Sequence, residues 1–423
     1  MEKTKSTTLS PLVIIGALFF IFGFITWLNG TLIPFLKLAC ELTYAQALLV
    51  TFAFYIAYVF LALPSSLILQ RTGFKNGMAL GLVVMAVGAL VFVPAAQARS
   101  FGLFLLGLFV QGAGLALLQT ASNPYATILG PLDSAAKRIS IMGICNKVAG
   151  ILAPVLIGAV VLKGIAELEQ QLAGTQSAAT RATLLNELAG RVVVPYLTIA
   201  GALLVLAYLV RRSSLPELTP TAETTAPAGR LSQYPHLMLG VLAMFCYVGV
   251  EVIAGDTIIQ YGRAQGISLD VARNFTSFTL GAMLLGYVLG IATMPRLLSQ
   301  QLALRLCAIL GVLATIGITL THGYASVLCV ALLGLANSLM WPAIFPLSIK
   351  NLGSYTERGS ALVIMGIGGG AVLPYLYGKL SEGVGLQNAY LLLVPCYLYI
   401  LFFALRGHAY PAKVPASYAV PAV

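Results

Sequence analysis

The stretch PLVIIGALFFIFGFITWLNGTLIPF, residues 11–35, contains no charged side chain. About 20 apolar residues in a helix are enough to cross the hydrocarbon core of a bilayer. This stretch is longer than the apolar segment of a secretory signal peptide, and no small-residue cleavage site follows it. We therefore interpret residues 11–36 as a first membrane span that follows a cytoplasmic N-terminus carrying Lys3 and Lys5.

Eleven further apolar runs follow, at 44–70, 75–95, 100–126, 138–163, 193–211, 234–262, 270–294, 302–320, 324–349, 357–380 and 387–406. The chain is 59% hydrophobic and only 9% charged, whereas soluble domains carry about 25% charged residues. A chain this apolar needs the bilayer as its solvent. The sequence therefore predicts an all-α membrane protein with twelve transmembrane helices.

The basic residues lie mainly between these runs, so the net charge of +11 does not indicate a nucleic-acid partner. When alternate loops are assigned to opposite sides of the membrane, 15 basic residues fall on the side of the termini and 8 on the other. Basic residues are enriched in cytoplasmic loops. We therefore expect both termini in the cytoplasm. The polar segment 164–192 is expected to form a surface helix.

Residues 212–233 differ from the rest, because the sequence RRSSLPELTPTAETTAPAGR (211–230) is rich in Pro, Thr and Ala and cannot form a core. We interpret 212–233 as a cytoplasmic linker. It separates an N-terminal half, residues 1–211, from a C-terminal half, residues 234–423. Each half contains six predicted spans, an arrangement typical of duplicated transporters.

Internal repeats support two pseudo-symmetric six-helix halves. FGFITWLNGTLIPF (22–35) aligns with VGVEVIAGDTIIQY (248–261), which pairs Gly30 with Asp256. In the same order, MGICNKVAGILAPVLIG (142–158) aligns with MGIGGGAVLPYLYG (365–378). A third match pairs NPYATILG (123–130) with FPLSIKNLG (345–353). Three matches in one order indicate an internal duplication.

The chain resembles the major facilitator superfamily, and in detail the L-fucose:proton symporter family with its glucose/galactose branch. The matching stretches are GFITWLNGTLIPFLK (23–37), LQTASNPYATILGP (118–131), FCYVGVEV (245–252), WPAIFPLSIKNLG (341–353) and IMGIGGGAVLP (364–374). The resemblance implies the major facilitator fold. It also implies a cavity between the halves, lined by spans 1, 4, 7 and 10 and opened alternately to each side.

A neutral sugar needs uncharged hydrogen-bonding groups and aromatic faces, and polar groups buried in a membrane protein are costly unless paired. Spans 1, 4, 5 and 10 offer such candidates for substrate binding: Trp27, Asn29, Gln119, Asn123, Asn146, Asn337 and Trp341. Span 7 adds Tyr247, Gln260 and Tyr261. Each has a structural alternative, because such amides also join helices and such aromatics also line the membrane interface. Asn123-Pro124 is equally consistent with a helix kink.

Three charges lie inside the predicted spans: Lys147 in span 5 and Glu251 and Asp256 in span 7. The two acids are five residues apart, about 140° around a helix, and need not share a partner. Charges at this depth cost at least about 2.5 kcal/mol and are candidates for function. Lys147 and Glu251 are expected at different heights in the bilayer, which argues against a direct pair.

The resemblance also implies an aspartate at the position of Gly30 and a glutamate at that of Gln119 in fucose–proton symporters, and both carboxylates are absent here. Because the repeats pair Gly30 with Asp256, we hypothesise that Asp256, or else Glu251, carries the coupling charge. Desolvation favours protonation of a carboxylate, so such a group can carry a proton; with neighbouring carbonyls it can instead hold sodium. The alternatives are a structural or gating pair with Lys147, and direct hydrogen bonding to the sugar.

The sequence contains no GxSxG, Walker or metal-ligand motif, so we expect neither an enzyme nor a cofactor. The favoured function is proton- or sodium-coupled symport of a monosaccharide, such as glucose, galactose or fucose, across a bacterial inner membrane. One alternative is a facilitator in which Lys147 stands in for the coupling cation. Another is a sugar-sensing or lipid-handling protein without sugar flux. The expected partners are the sugar, the coupling cation and the bilayer, and the expected state is a monomer.

Overall fold

The computed structural model describes residues 11–128, 135–174, 177–213, 215, 231–294, 298–350, 352 and 355–410, without side chains at 66, 70, 123–128, 135–140 and 356–358. This part of the chain is helical throughout. Twelve of its helical segments are long and apolar enough to cross a membrane. The predicted fold class is confirmed.

We call spans 1–6 the N-half and spans 7–12 the C-half. The N-half consists of span 1 (Pro11–Trp27 and Asn29–Ala39), span 2 (Tyr44–Ser65), span 3 (Arg71–Gln97), span 4 (Phe101–Ile128), span 5 (Ala135–Val161) and span 6 (Val193–Arg212). Spans 2 and 3 are continuous except at Gly73, whose φ of 75° suits glycine. Two surface helices, Ile165–Gly174 and Ala178–Gly190, precede span 6, where the sequence predicts a single surface helix over residues 164–192.

The C-half consists of span 7 (Pro235–Asp256 and Ile258–Ala264), span 8 (Leu269–Ala272 and Phe275–Thr293), span 9 (Gln300–Leu320), span 10 (Gly323–Asn337 and Met340–Ile349), span 11 (Thr356–Met365 and Gly369–Val384) and span 12 (Leu386–Ala389 and Leu393–Leu405). Large apolar side chains point outward, as lipid requires: Val194 and Leu320 are 71% and 75% exposed. Most of the predicted linker 212–233 lies outside the described residues.

Spans 1, 7, 10 and 11 are each interrupted within their length, at Leu28, Thr257, Ser338–Leu339 and Gly366–Gly368. Pro34 adds to the break in span 1, because a proline has no N–H for the carbonyl of the residue four positions earlier, here Gly30. Irregular backbone at membrane depth is tolerated where it lines a cavity or is buried in protein. Discontinuous helices are therefore a pointer to the binding site of a transporter.

Twelve crossings return the chain to the side on which it starts, so residues 11 and 409 face one side of the membrane. We call the opposite side, where span 1 ends at Ala39, the distal side. The halves contact each other there: the rings of Tyr44 (span 2) and Tyr377 (span 11) are 6.4 Å apart. A Cβ placed on Gly378 would lie 3.6 Å from that of Ala45. The structure is thus closed on the distal side.

Candidate functional site

Lys147 of span 5 and Glu251 of span 7 form a direct ion pair between the two halves. The Nζ atom lies 2.8 Å from Oε1 of Glu251, and each residue is 7% exposed. The sequence-based expectation that their heights argue against a direct pair was wrong. Both side chains are long and flexible, so they bridge an offset between their Cα atoms.

Trp27 packs against this pair. The Lys147 ammonium lies 4.6 Å from the centroid of the Trp27 ring, in cation–π geometry, and the indole is 3% exposed. Gly150 and Gly255 make room for the indole, because a Cβ on either residue would overlap its ring. Trp27 is therefore clamped between spans 5 and 7.

Asp256 ends the first helix of span 7 and is 1% exposed. Its Oδ2 accepts a hydrogen bond of 2.8 Å from the hydroxyl of Thr51, on span 2 of the opposite half. As expected from their spacing, Glu251 and Asp256 have different partners. Among the described residues, no basic side chain forms an ion pair with Asp256.

Gly30, which the internal repeat pairs with Asp256, is also its neighbour in space. A Cβ on Gly30 would lie 3.4 Å from Oδ1 of Asp256 and 3.2 Å from Oγ1 of Thr276. The Thr276 hydroxyl donates to the carbonyl of Gly255 at 2.8 Å. The carboxylate of Asp256 and the hydroxyls of Thr51 and Thr276 thus lie around this point. These are oxygen groups able to hold a proton or a small hard cation.

Several buried amides carry nitrogens that have no hydrogen-bond partner among the described residues. Asn29 and Asn337 are 1% and 0% exposed, and the Nδ2 of each has no acceptor. Asn337 does accept a 2.9 Å hydrogen bond from Tyr397 through its Oδ1. The Nε2 of Gln260 on span 7 is also unpartnered. Buried donors without acceptors are costly, so these groups are suited to the hydroxyls of a ligand.

Three further sugar-binding candidates, Gln119, Asn146 and Trp341, are half-buried. Asn146 makes a long 3.5 Å contact with the carbonyl of Phe19. Trp341 stacks on Phe345 at 6.0 Å and lies 6.4 Å from Tyr247, one turn before Glu251. No contact among the described residues joins Gln119 to this cluster. The side chain of Asn123 lies outside the described residues, although its backbone belongs to span 4.

Thr51 and Thr276 were not among the sequence candidates, because threonine in an apolar span is common and carries no signal of its own. A second omission lies on the distal surface, where Arg263 at the end of span 7 contacts Glu169 of the surface helix Ile165–Gly174 at 2.8 Å. Arg181 and Glu41 pair beside it at 2.7 Å. These four residues line a cleft of about 430 Å³. The surface helices therefore connect the N-half to the C-half.

Comparison with known proteins agrees with this architecture. Residues 15–374 match the Major Facilitator Superfamily. The chain is 36% identical over 395 residues to the glucose/galactose transporter of Brucella abortus, covering 92% of each chain. It is 30% identical over 404 residues to the L-fucose-proton symporter of Escherichia coli, covering 93% of this chain and 92% of that one.

Solved structures give the same result. A variant of the Escherichia coli fucose:proton symporter superimposes with a TM-score of 0.74 at 28% identity, covering 95% of this chain and 99% of the other. The structure of a D-xylose-proton symporter, only 13% identical, shares the fold with a TM-score of 0.68. These proteins are membrane transporters and not enzymes. The chain belongs to the Major Facilitator Superfamily.

Proposed function

We propose that this protein is a symporter that carries a monosaccharide, such as glucose, galactose or fucose, across a bacterial inner membrane, driven by a proton or sodium gradient. The relatives named as glucose/galactose and L-fucose-proton transporters support the sugar class. The cytoplasmic placement of both termini rests on the distribution of basic residues. The protein functions as a monomer, because one chain supplies both halves of the cavity.

The coupling role of Asp256 rests on one observation: it is a buried carboxylate at the junction of the halves without a basic partner among the described residues. The positive charge of Lys147 is already balanced by Glu251 at 2.8 Å. Of the three membrane-embedded charges, Asp256 therefore remains uncompensated. Neutralising it needs a proton or a cation from solution, and that requirement couples ion uptake to transport.

The sugar site combines unpartnered amides with aromatic walls. Asn29 and Asn337 present buried Nδ2 donors, and Trp341 offers a half-buried ring beside Phe345. Asn146, Gln119 and Asn123 complete the proposed site from spans 4 and 5. An uncharged set of this kind suits a neutral, hydroxyl-rich ligand. Lys147, Glu251 and Trp27 hold the halves together beneath it.

The test is uptake of radiolabelled glucose into proteoliposomes under an inward proton gradient or an inward sodium gradient. We expect accumulation with one cation in the wild type. Asp256→Asn abolishes accumulation but retains exchange of labelled for unlabelled sugar, because a neutral site no longer needs the ion. Asp270→Asn, an exposed acid beyond span 7, is the matched control and behaves like the wild type.

The alternative is an uncoupled facilitator, in which the ammonium of Lys147 takes the place of the coupling cation. The observation that favours it is the built-in ion pair with Glu251. Wild-type protein that equilibrates glucose without responding to either gradient would exclude symport and leave this alternative. If glucose does not move at all, the same assay is run with galactose, which differs from glucose in the configuration of one hydroxyl, and with L-fucose, which is 6-deoxy-L-galactose.

A further inference from the structure

A single hydrogen bond joins the two halves at the proposed coupling carboxylate. The hydroxyl of Thr51, which is fully buried in span 2, donates to Oδ2 of Asp256 at 2.8 Å. The two residues are 205 positions apart in sequence. The bond therefore reports on the relative position of the N-half and the C-half.

This bond belongs to the distal closure. Thr51 follows Ala45 by six residues, about 9 Å along span 2, and Ala45 lies at the distal contact with Gly378 of span 11. The ring of Phe52, the next residue, is 6.0 Å from that of Tyr375 in the same span. Opening the distal side separates span 2 from spans 7 and 11, so it also separates Thr51 from Asp256.

The surroundings of Asp256 offer little compensation for a charge in the closed state. Tyr44 and Tyr55 are the titratable residues that face the carboxylate from span 2. Spans 1 and 8 present Gly30 and Thr276, which do not titrate. Glu251 on the same helix is engaged with Lys147. A bare carboxylate with one hydroxyl donor is poorly compensated at this depth.

We propose that Thr51 is the positioning residue that sets how strongly distal closure depends on the loading of Asp256 with a proton or a sodium ion. This inference rests on the coupling role of Asp256 in the proposed function. When Asp256 is loaded, the distal side closes and Thr51 engages it. When Asp256 is unloaded, closing the distal side buries its negative charge, which is unfavourable. The hydrogen bond from the Thr51 hydroxyl offsets only part of this cost.

Removal of the Thr51 hydroxyl should affect distal closure differently when Asp256 is charged and when it is neutral. Hydrogen bonds to a charged acceptor are about twice as strong as those between neutral groups. Loss of the donor in Thr51→Val, which keeps the shape of the side chain, therefore weakens the closed state more when Asp256 is charged. A packing role alone would weaken closure equally in both states.

Distal closure can be measured with a disulfide between Ala45→Cys and Gly378→Cys, because the two Cβ positions are 3.6 Å apart, within the range for such a bond. The fraction of cross-linked peptide is quantified by mass spectrometry in acid and alkaline buffer, with and without sodium. Cys40 is the nearby native thiol. Burial raises the pKa of Cys40 to about 11, so it competes weakly for oxidation.

We expect wild-type cross-linking to fall as Asp256 becomes unloaded, at alkaline pH or on sodium removal. Asp256→Asn should remain closed under all conditions. Thr51→Val should lower the ratio of closed to open protein about threefold in the loaded state and about tenfold in the unloaded state. Thr51→Ser, which restores the donor, should return both values towards the wild type.

An equal loss in both states for Thr51→Val overturns the proposal and leaves Thr51 a packing residue. Wild-type cross-linking that ignores both pH and sodium also overturns it, even if Asp256→Asn abolishes accumulation and the proposed function stands. If Asp256→Asn still accumulates sugar, the coupling assignment itself fails. Thr51→Ser and Asp256→Asn keep the test decisive if Thr51→Val does not fold.

Discussion

Removal of either partner of the Lys147–Glu251 pair should destabilise the protein through an unpaired buried charge. At the observed 2.8 Å, two unit charges attract by about 6 kcal/mol when the effective dielectric constant is about 20. Desolvation offsets much of this attraction, and loss of one partner of a buried pair typically costs about 3–5 kcal/mol. We expect that cost for Lys147→Met and for Glu251→Gln.

The two single variants should respond to pH in opposite directions. In Lys147→Met the folded protein buries an unpaired Glu251, so folding favours its protonated form. Stability is then recovered as the pH falls and lost as it rises. In Glu251→Gln the folded protein buries an unpaired Lys147 and favours its neutral amine, so stability is recovered as the pH rises. These signs follow from linkage between protonation and folding.

The double variant Lys147→Met/Glu251→Gln removes both charges and should be close to the wild type, within about 1 kcal/mol, because neutral replacement of a buried pair is often tolerated. The assay is the midpoint of thermal unfolding in detergent across a pH series. The double variant is also tested for gradient-driven glucose accumulation, which it should retain if the pair serves structure and Asp256 serves coupling.

Three results would refute this reasoning. A double variant as unstable as the single variants would mean that the side chains act through packing against Trp27. Single variants with the same pH trend would mean that no buried charge had been left behind. Loss of gradient coupling in a stable double variant would move the coupling role from Asp256 to the pair, in line with the alternative hypothesis that Glu251 carries the coupling charge.

Three further predictions concern other contacts between helices. Glu169→Arg and Arg263→Glu should each lower distal cross-linking by up to about fivefold, the range of a partly exposed ion pair, and the double exchange should restore it. In an Asp256→Asn background, Gly30→Asp should recover part of the gradient-driven uptake, because the new carboxylate would lie where that of Asp256 lies, supplied from the opposite half. No recovery would contradict this placement. Gly23→Ala should lower the midpoint of thermal unfolding, because the added Cβ would overlap the carbonyl oxygen of Asn146. Gly201→Ala in span 6 is the control and should leave the midpoint unchanged, because a Cβ there has no neighbour within 4 Å.

The sequence predicts the membrane architecture well because the physical signal is strong and local. Each span must satisfy its backbone hydrogen bonds internally and present apolar side chains to lipid. Predicted boundaries such as 193–211 therefore lie within a residue or two of the observed helix Val193–Arg212. A surface helix before span 6 was also predicted from the polar, helical character of residues 164–192, although that segment forms two helices and not one.

The contacts that build the candidate site are harder to predict because they are not local. Counting residues along two helices gives the heights of their Cα atoms and ignores the reach of the side chains, which is why the Lys147–Glu251 pair was not expected. Thr51 looked like any threonine in an apolar run until the structure placed it 2.8 Å from Asp256. Only the alignment of Gly30 with Asp256 carried long-range information.

That alignment, taken with the contact in space, constrains where the proposed coupling charge lies. The halves of this fold are related by a pseudo-two-fold axis along the membrane normal. Two residues that such an axis relates can touch each other only if both lie beside it, and Gly30 touches Asp256. A carboxylate beside this axis lies at the boundary between the halves, where rocking changes both its partners and its access. On this reasoning either half can supply it, so the absence of an acid at Gly30 moves the charge to span 7 without moving it in space.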